Sequence, residues 1–107
     1  MKIIYNKHIP PKGFSAINLF GFLFVRRGVI ITPRIMQHEQ IHSEQQKELL
    51  YVFFYLVYLL EWFVKLLRYG KRSYYNISFE REAYLNEDDE NYLKKRKKYS
   101  FLKYLIK

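Results

Sequence analysis

Cysteine is absent from the 107 residues, which removes disulfide frameworks, thiolate metal sites and cysteine nucleophiles together. Any metal must therefore be held by His, Asp or Glu. Proline and glycine are scarce, and neither occurs between Pro33 and Gly70, so that interval can stay helical. Long apolar runs are missing too. The longest, LLYVFFYLVYLL from Leu49 to Leu60, meets Glu61 before reaching the ~17–25 residues a spanning helix needs. Extending it to Leu67 admits Glu61 and Lys65, an i, i+4 pair able to bond on one face. At the amino terminus, MKIIYNKHIPPKGF has no apolar core of signal-peptide length, because Asn6, Lys7 and His8 interrupt it. The chain is expected to stay on the cytoplasmic side. Internal repeats and Ser/Gly-rich linkers are also lacking, and the length fits one domain (residues 1–107) with a thin core.

What is present begins with charge. The formal net charge is +9, and the tail KKRKKYSFLKYLIK (residues 94–107) carries seven of the positive residues. Basicity is thus a property of the tail.

Residues 1–32 read as a short extended piece, a loop around Pro10, Pro11 and Gly13, and then a hairpin. In FGFLFVRRGVII the apolar runs Phe22 to Val25 and Val29 to Ile31 flank a turn at Arg26-Arg27-Gly28. Thr32-Pro33 opens a helix, with threonine as the cap and proline where its missing N–H costs nothing. A helix over residues 33–69 would run about 55 Å, against a diameter of roughly 34 Å for a compact domain of this size. It must therefore break near Gln45 to Glu48, or protrude into a membrane or partner. A further helix over residues 76–98 starts at Asn76 or Ser78, with acidic early turns and basic late ones that suit the helix dipole.

The chemistry lies in PRIMQHEQIHSEQQ, residues 33–46. On a helix, His38 and His42 stack one above the other, spaced to grip one ion. Glu39 is rotated by about 100° from His38, beside the metal and not on it. That position suits a general base acting on water whose pKa zinc lowers to about 7. A hydrolytic zinc needs a third protein ligand and an open fourth position. Glu80, in NISFEREAY, is the candidate. Glu82 is the rival, about 200° away on the same helix. The competing reading makes QHEQIHSEQQKE a solvated helix face and Glu80 a partner for Arg81 or a tail lysine. His8, alone beside prolines, reads as a surface or turn residue.

His38-Glu39-x-x-His42 followed by Glu80-x-x-Ala83 on a later helix resembles the gluzincin branch of zinc metallopeptidases. The motif order is similar to that of the membrane-associated CAAX-prenyl and heat-shock proteases. The resemblance spans roughly residues 20–85. It implies an α+β, mostly helical, minimal zincin-like domain that hydrolyses peptide bonds in a peptide or protein substrate. It also implies Zn2+ on His38, His42 and Glu80, with Glu39 as base. Those families place Asp where this chain has Tyr84, so Glu87 or Asp88 is left to supply the supporting carboxylate. Zincins also run an edge strand beside the active-site helix to receive an extended substrate, a role that falls to the 22–31 hairpin. Tyr74, Tyr75 and Tyr84 lie near the third ligand, and any of them can donate to a developing oxyanion.

The alternative function is a non-catalytic zinc-binding interaction module. The aromatic segment is hydrophobic all round, which favours core packing, a homo-oligomer interface or shallow insertion at a membrane surface. Tyr51, Tyr55, Tyr58 and Trp62 suit such an interface. The tail, with Phe101, Leu102, Leu105 and Ile106 among its basic residues, reads as a contact with the inner membrane surface. Nucleic acid is the weaker partner, because no recognised motif accompanies the charge.

Overall fold

The computed structural model describes residues 2–10 and 14–105. The fold is α+β, with three short strands first and helices after them. Strand β1 (Lys2–Asn6) runs parallel to β3 (Phe22–Arg26), which pairs antiparallel on its other side with β2 (Ala16–Leu19). The sheet order is β1-β3-β2.

The hairpin lies one step earlier in the chain than the sequence indicated. Its turn is Phe20-Gly21, with φ of 53° and 85°, the pair of positive values that matches a two-residue turn to strand twist. Gly28 does turn the chain, at φ 88°. However, β3 already has a neighbour on each edge, so Val29–Ile31 has no ladder to join and leads straight to the first helix.

Helix α1 (Pro33–Glu48) opens as the sequence indicated: Thr32 Oγ1 accepts from the Ile35 N–H at 3.2 Å. It does not continue to Tyr69. It ends at Glu48, and α2 (Val52–Tyr69) departs at 110°, with the break just past the expected Gln45 to Glu48. The Tyr51 N–H bonds the Gln46 carbonyl at 2.7 Å and the Leu50 N–H bonds the Lys47 carbonyl at 3.2 Å. These are the two reversed bonds of a Schellman ending. Leu50, at φ 54°, takes the left-handed place usually given to glycine, at a cost of ~1–2 kcal/mol.

The helix expected over 76–98 is shorter and divided. Helix α3 (Ser78–Asn86) ends at a turn before the four-residue α4 (Tyr92–Lys95). In that turn Asp89 Oδ1 accepts from the Asn91 N–H at 3.0 Å, a local bond that competes with helix continuation. Nor is the tail a free amphipathic helix. Arg96 is buried between Glu48 and Glu82, its Nη1 donating to Glu48 Oε2 at 2.7 Å. A 3-10 turn, Ser100–Tyr104, then packs Phe101 against Phe79 with ring centroids 4.7 Å apart. Lys94, Lys95, Lys97, Lys98 and Lys103 remain exposed, and Ile106 lies outside the described residues.

One core cluster joins Phe54, Ile77, Phe79 and Phe101, and a second joins Ile41, Ala83 and Tyr92. Together they pin α3 against both α1 and α2. The inward face of α2 carries its acid and base: Glu61 accepts from the Ser78 N–H and, at 2.7 Å, from Ser78 Oγ, while Lys65 lies 3.6 Å from Glu61. A carboxylate from one helix thereby caps the start of the next.

Candidate metal centre

The buried face of α1 is polar. His38, Glu39, His42, Gln45 and Gln46 are each less than a tenth exposed, so this stretch is not a solvated helix face. The pinning of α3 brings Glu80 over the two histidines. Nε2 of His38 and Nε2 of His42 lie 3.2 Å apart, and Glu80 Oε1 is 3.3 Å from the first and 3.1 Å from the second. In a tetrahedral zinc site with bonds of ~2.0–2.1 Å, the corners are ~3.3–3.4 Å apart. The three atoms outline one face of such a tetrahedron, and these residues are the candidate metal ligands.

The surrounding hydrogen bonds show what charge this face requires. His38 Nδ1 is 2.8 Å from Glu87 Oε2, and a carboxylate only accepts, so that nitrogen carries the proton. His42 Nδ1 is 2.7 Å from Gln45 Oε1. The Gln45 amide is held in that orientation because its Nε2 donates to the Phe79 carbonyl at 3.1 Å and to Glu82 Oε1 at 3.0 Å. In neutral histidines both Nε2 atoms then present lone pairs toward each other and toward a carboxylate oxygen. Three converging lone pairs repel unless a cation lies among them.

In the metal-free chain a proton fills that need. Burial pushes His42 toward its neutral form, but the Glu80 carboxylate overrides it and raises the pKa to about 9. Burial likewise acts to raise Glu80, and the histidines more than offset it, holding the carboxyl well below the usual range.

Glu39 differs from Glu80. Its carboxylate is buried close enough to feel both histidines, yet among the described residues no hydrogen bond reaches it. Its backbone carbonyl accepts from Asn18 Nδ2 at 3.0 Å, which ties α1 to β2. Burial raises the Glu39 pKa, the histidines lower it by less, and Glu80 adds to the rise.

The remaining expected residues divide. Glu87 supports His38, as the supporting carboxylate was expected to do, whereas Asp88 accepts from Arg34 Nε at 2.8 Å on the surface. Glu82 is fully buried and serves Arg96, Tyr92 and Gln45, so it is bound into the fold and turned away from the histidines. Arg81 bonds Asn76 and the Tyr104 carbonyl, not Glu80. Tyr84 lays its ring edge on His38, centroids 4.5 Å apart, and burial pushes its hydroxyl pKa up to about 12. Tyr75 is largely exposed and meets Tyr74 edge-on and Tyr84 at a tilt without reaching the triad. His8 is exposed.

Two contributors were not singled out for this site from sequence. Tyr58 Oη donates to Glu80 Oε2 at 2.7 Å, leaving Oε1 to face the histidines. Burial and the Glu80 charge raise the Tyr58 pKa, which keeps the donor protonated. Gln45 sits one helical turn past His42, a spacing that was open to notice. Tyr58 reaches the site only through the 110° bend.

The β2 edge beside α1 is largely engaged. Gln46 Nε2 donates to the Asn18 carbonyl at 3.1 Å, and the Phe20 N–H donates to Tyr55 Oη at 2.9 Å. The chain matches no protein-family model, no curated protein and no solved structure.

Proposed function

We propose that this chain is a zinc-dependent peptidase in which His38, His42 and Glu80 hold the metal and Glu39 is the general base. The observation that carries it is Glu39, only 8% exposed beside the triad, whose carboxylate makes no hydrogen bond among the described residues. Holding a carboxylate so far from bulk water without a bonding partner disfavours its charged form, and a purely structural site has no use for a base there. Zinc, when bound, supplies Lewis acidity and lowers the pKa of a water to about 7. With zinc held there, Glu39 would take a proton from the activated water and pass it to the departing amine. Tyr58 fixes the rotation of Glu80, while Glu87 and Gln45 fix the histidine tautomers. Tyr84 packs on His38 and Tyr74 packs on Tyr84, so a peptide reaching the triad from this side would have to displace them.

The test is zinc reconstitution followed by digestion of a broad peptide library with the parent and with Glu39→Gln. Cleavage by the parent alone supports the proposal. A second reading, a zinc staple without catalysis, is favoured by one observation: the surface depression beside Tyr75, Arg81, Tyr84 and Tyr104 meets the triad only across the Tyr84 ring, which packs on His38. On that reading the parent binds zinc and cleaves nothing.

A further inference from the structure

Helix α2 buries two charged residues, Glu61 and Lys65, on the same side as Phe54 and Tyr58, whereas Leu56, Leu60, Phe63 and Leu67 on the opposite side are 58%, 67%, 54% and 79% exposed. Val52, Phe53, Leu59, Val64 and Leu66 extend that side, each more than half exposed. At ~100° per residue these positions sweep an uninterrupted apolar arc of about 160°. Soluble surfaces rarely leave a contiguous apolar patch of this kind uncovered.

The arc and the charge around it indicate the occupant. Two-helix packing uses a narrow seam from each partner, and this arc is much wider. A second copy would also bring together two chains of net charge +9. Arg68, Lys71 and Arg72 stand exposed at the carboxyl end of the arc, and Lys47 precedes its amino end. Each lysine or arginine near an anionic lipid surface contributes about 1 kcal/mol of attraction. Among the described residues no single helix is long and apolar enough to cross a membrane. An 18-residue helix with one apolar side instead fits a position lying in the plane of the interface.

We propose that the outward face of α2 docks on an anionic lipid bilayer, with Arg68, Lys71 and Arg72 among the headgroups. The metal triad then lies behind α2, on its protein-facing side, where Tyr58 touches Glu80. This does not depend on catalysis, since a zinc staple with the same face would dock equally.

Trp62 is the chain's single tryptophan and borders the arc, which makes it the probe. Zinc-loaded protein is titrated with vesicles of phosphatidylcholine alone or with a third phosphatidylglycerol. Flotation with the anionic vesicles and a blue shift of Trp62 emission are expected. The double variant Leu60→Glu, Phe63→Glu should lose partitioning at least tenfold while keeping its zinc. Lys71→Glu, Arg72→Glu should remove the preference for anionic vesicles. Because Leu60 and Phe63 are exposed, melting and zinc content show directly that their variant is folded. A parent that ignores both vesicle types overturns the proposal, and so does sedimentation as a dimer whose Trp62 emission vesicles leave unchanged.

Discussion

Gln45 Oε1 lies 2.7 Å from His42 Nδ1 while Gln45 Nε2 spans the Phe79 carbonyl and Glu82. One amide thus reads the backbone of α3 and sets the tautomer of a histidine on α1. The geometry of the candidate triad and the packing of the two helices are therefore one structure.

Removing that amide should cost metal affinity. Gln45→Ala is expected to weaken zinc binding about 10–100-fold, the usual effect of losing a partner that orients a ligand. Glu87→Gln retains an acceptor for His38 and should cost less. Chelator competition on folded protein ranks the two variants, and an equal or reversed order contradicts the assignment.

Glu80 and Glu82, two residues apart, should fail differently. Glu80→Ala is expected to drop zinc below stoichiometric occupancy. Glu82→Ala strips a buried partner from Arg96 and should cost about 3–5 kcal/mol of stability, visible in urea denaturation. Below its melting temperature the Glu82 variant should still take up zinc.

Metal uptake should depend on pH with a definite sign. The folded, metal-free His42 has a pKa raised to about 9, against an ordinary value near ~6.5. The His42–Glu80 pair therefore stabilises the metal-free fold fully below pH ~6.5. That contribution declines as pH rises toward about 9. Zinc must displace that proton. The logarithm of its affinity should climb with pH by roughly one per unit and flatten above about 9. Calorimetry in buffers of different ionisation enthalpy should detect the released proton.

Much of the site was legible because helix periodicity is local. Thr32-Pro33 fixed the phase of α1, four-residue spacing aligned His38 with His42, and Glu39 followed from rotation. Glu80 could be preferred over Glu82 only by the motif resemblance, since either rotation is allowed until the helix is docked. A break near the end of α1 was expected from helix length alone. Leucine replaces glycine at the left-handed position of Leu49–Tyr51, however, so neither the place nor the angle of the bend was marked, and Tyr58 was hidden with it. The hairpin was misplaced because Phe20-Gly21 and Arg27-Gly28 are both turns. Only the arrival of β1 on the free edge of β3 decides which one joins strands.

Glu39→Gln separates base from bystander by moving two quantities in opposite directions. In metal-free protein Glu39 has a pKa raised by burial, so its ionisation weakens the fold as pH rises through that raised value. Glutamine has the same shape without the charge. The variant should therefore unfold at higher urea than the parent once the pH is above that raised value, because the amide has no charge to keep from water. In zinc-loaded protein the same change should lower peptide cleavage about 10²–10⁴-fold, the range for a positioned general base, with zinc content unchanged. A variant that is both less stable and equally active would show Glu39 to be an ordinary structural glutamate, and the catalytic reading would fail with it.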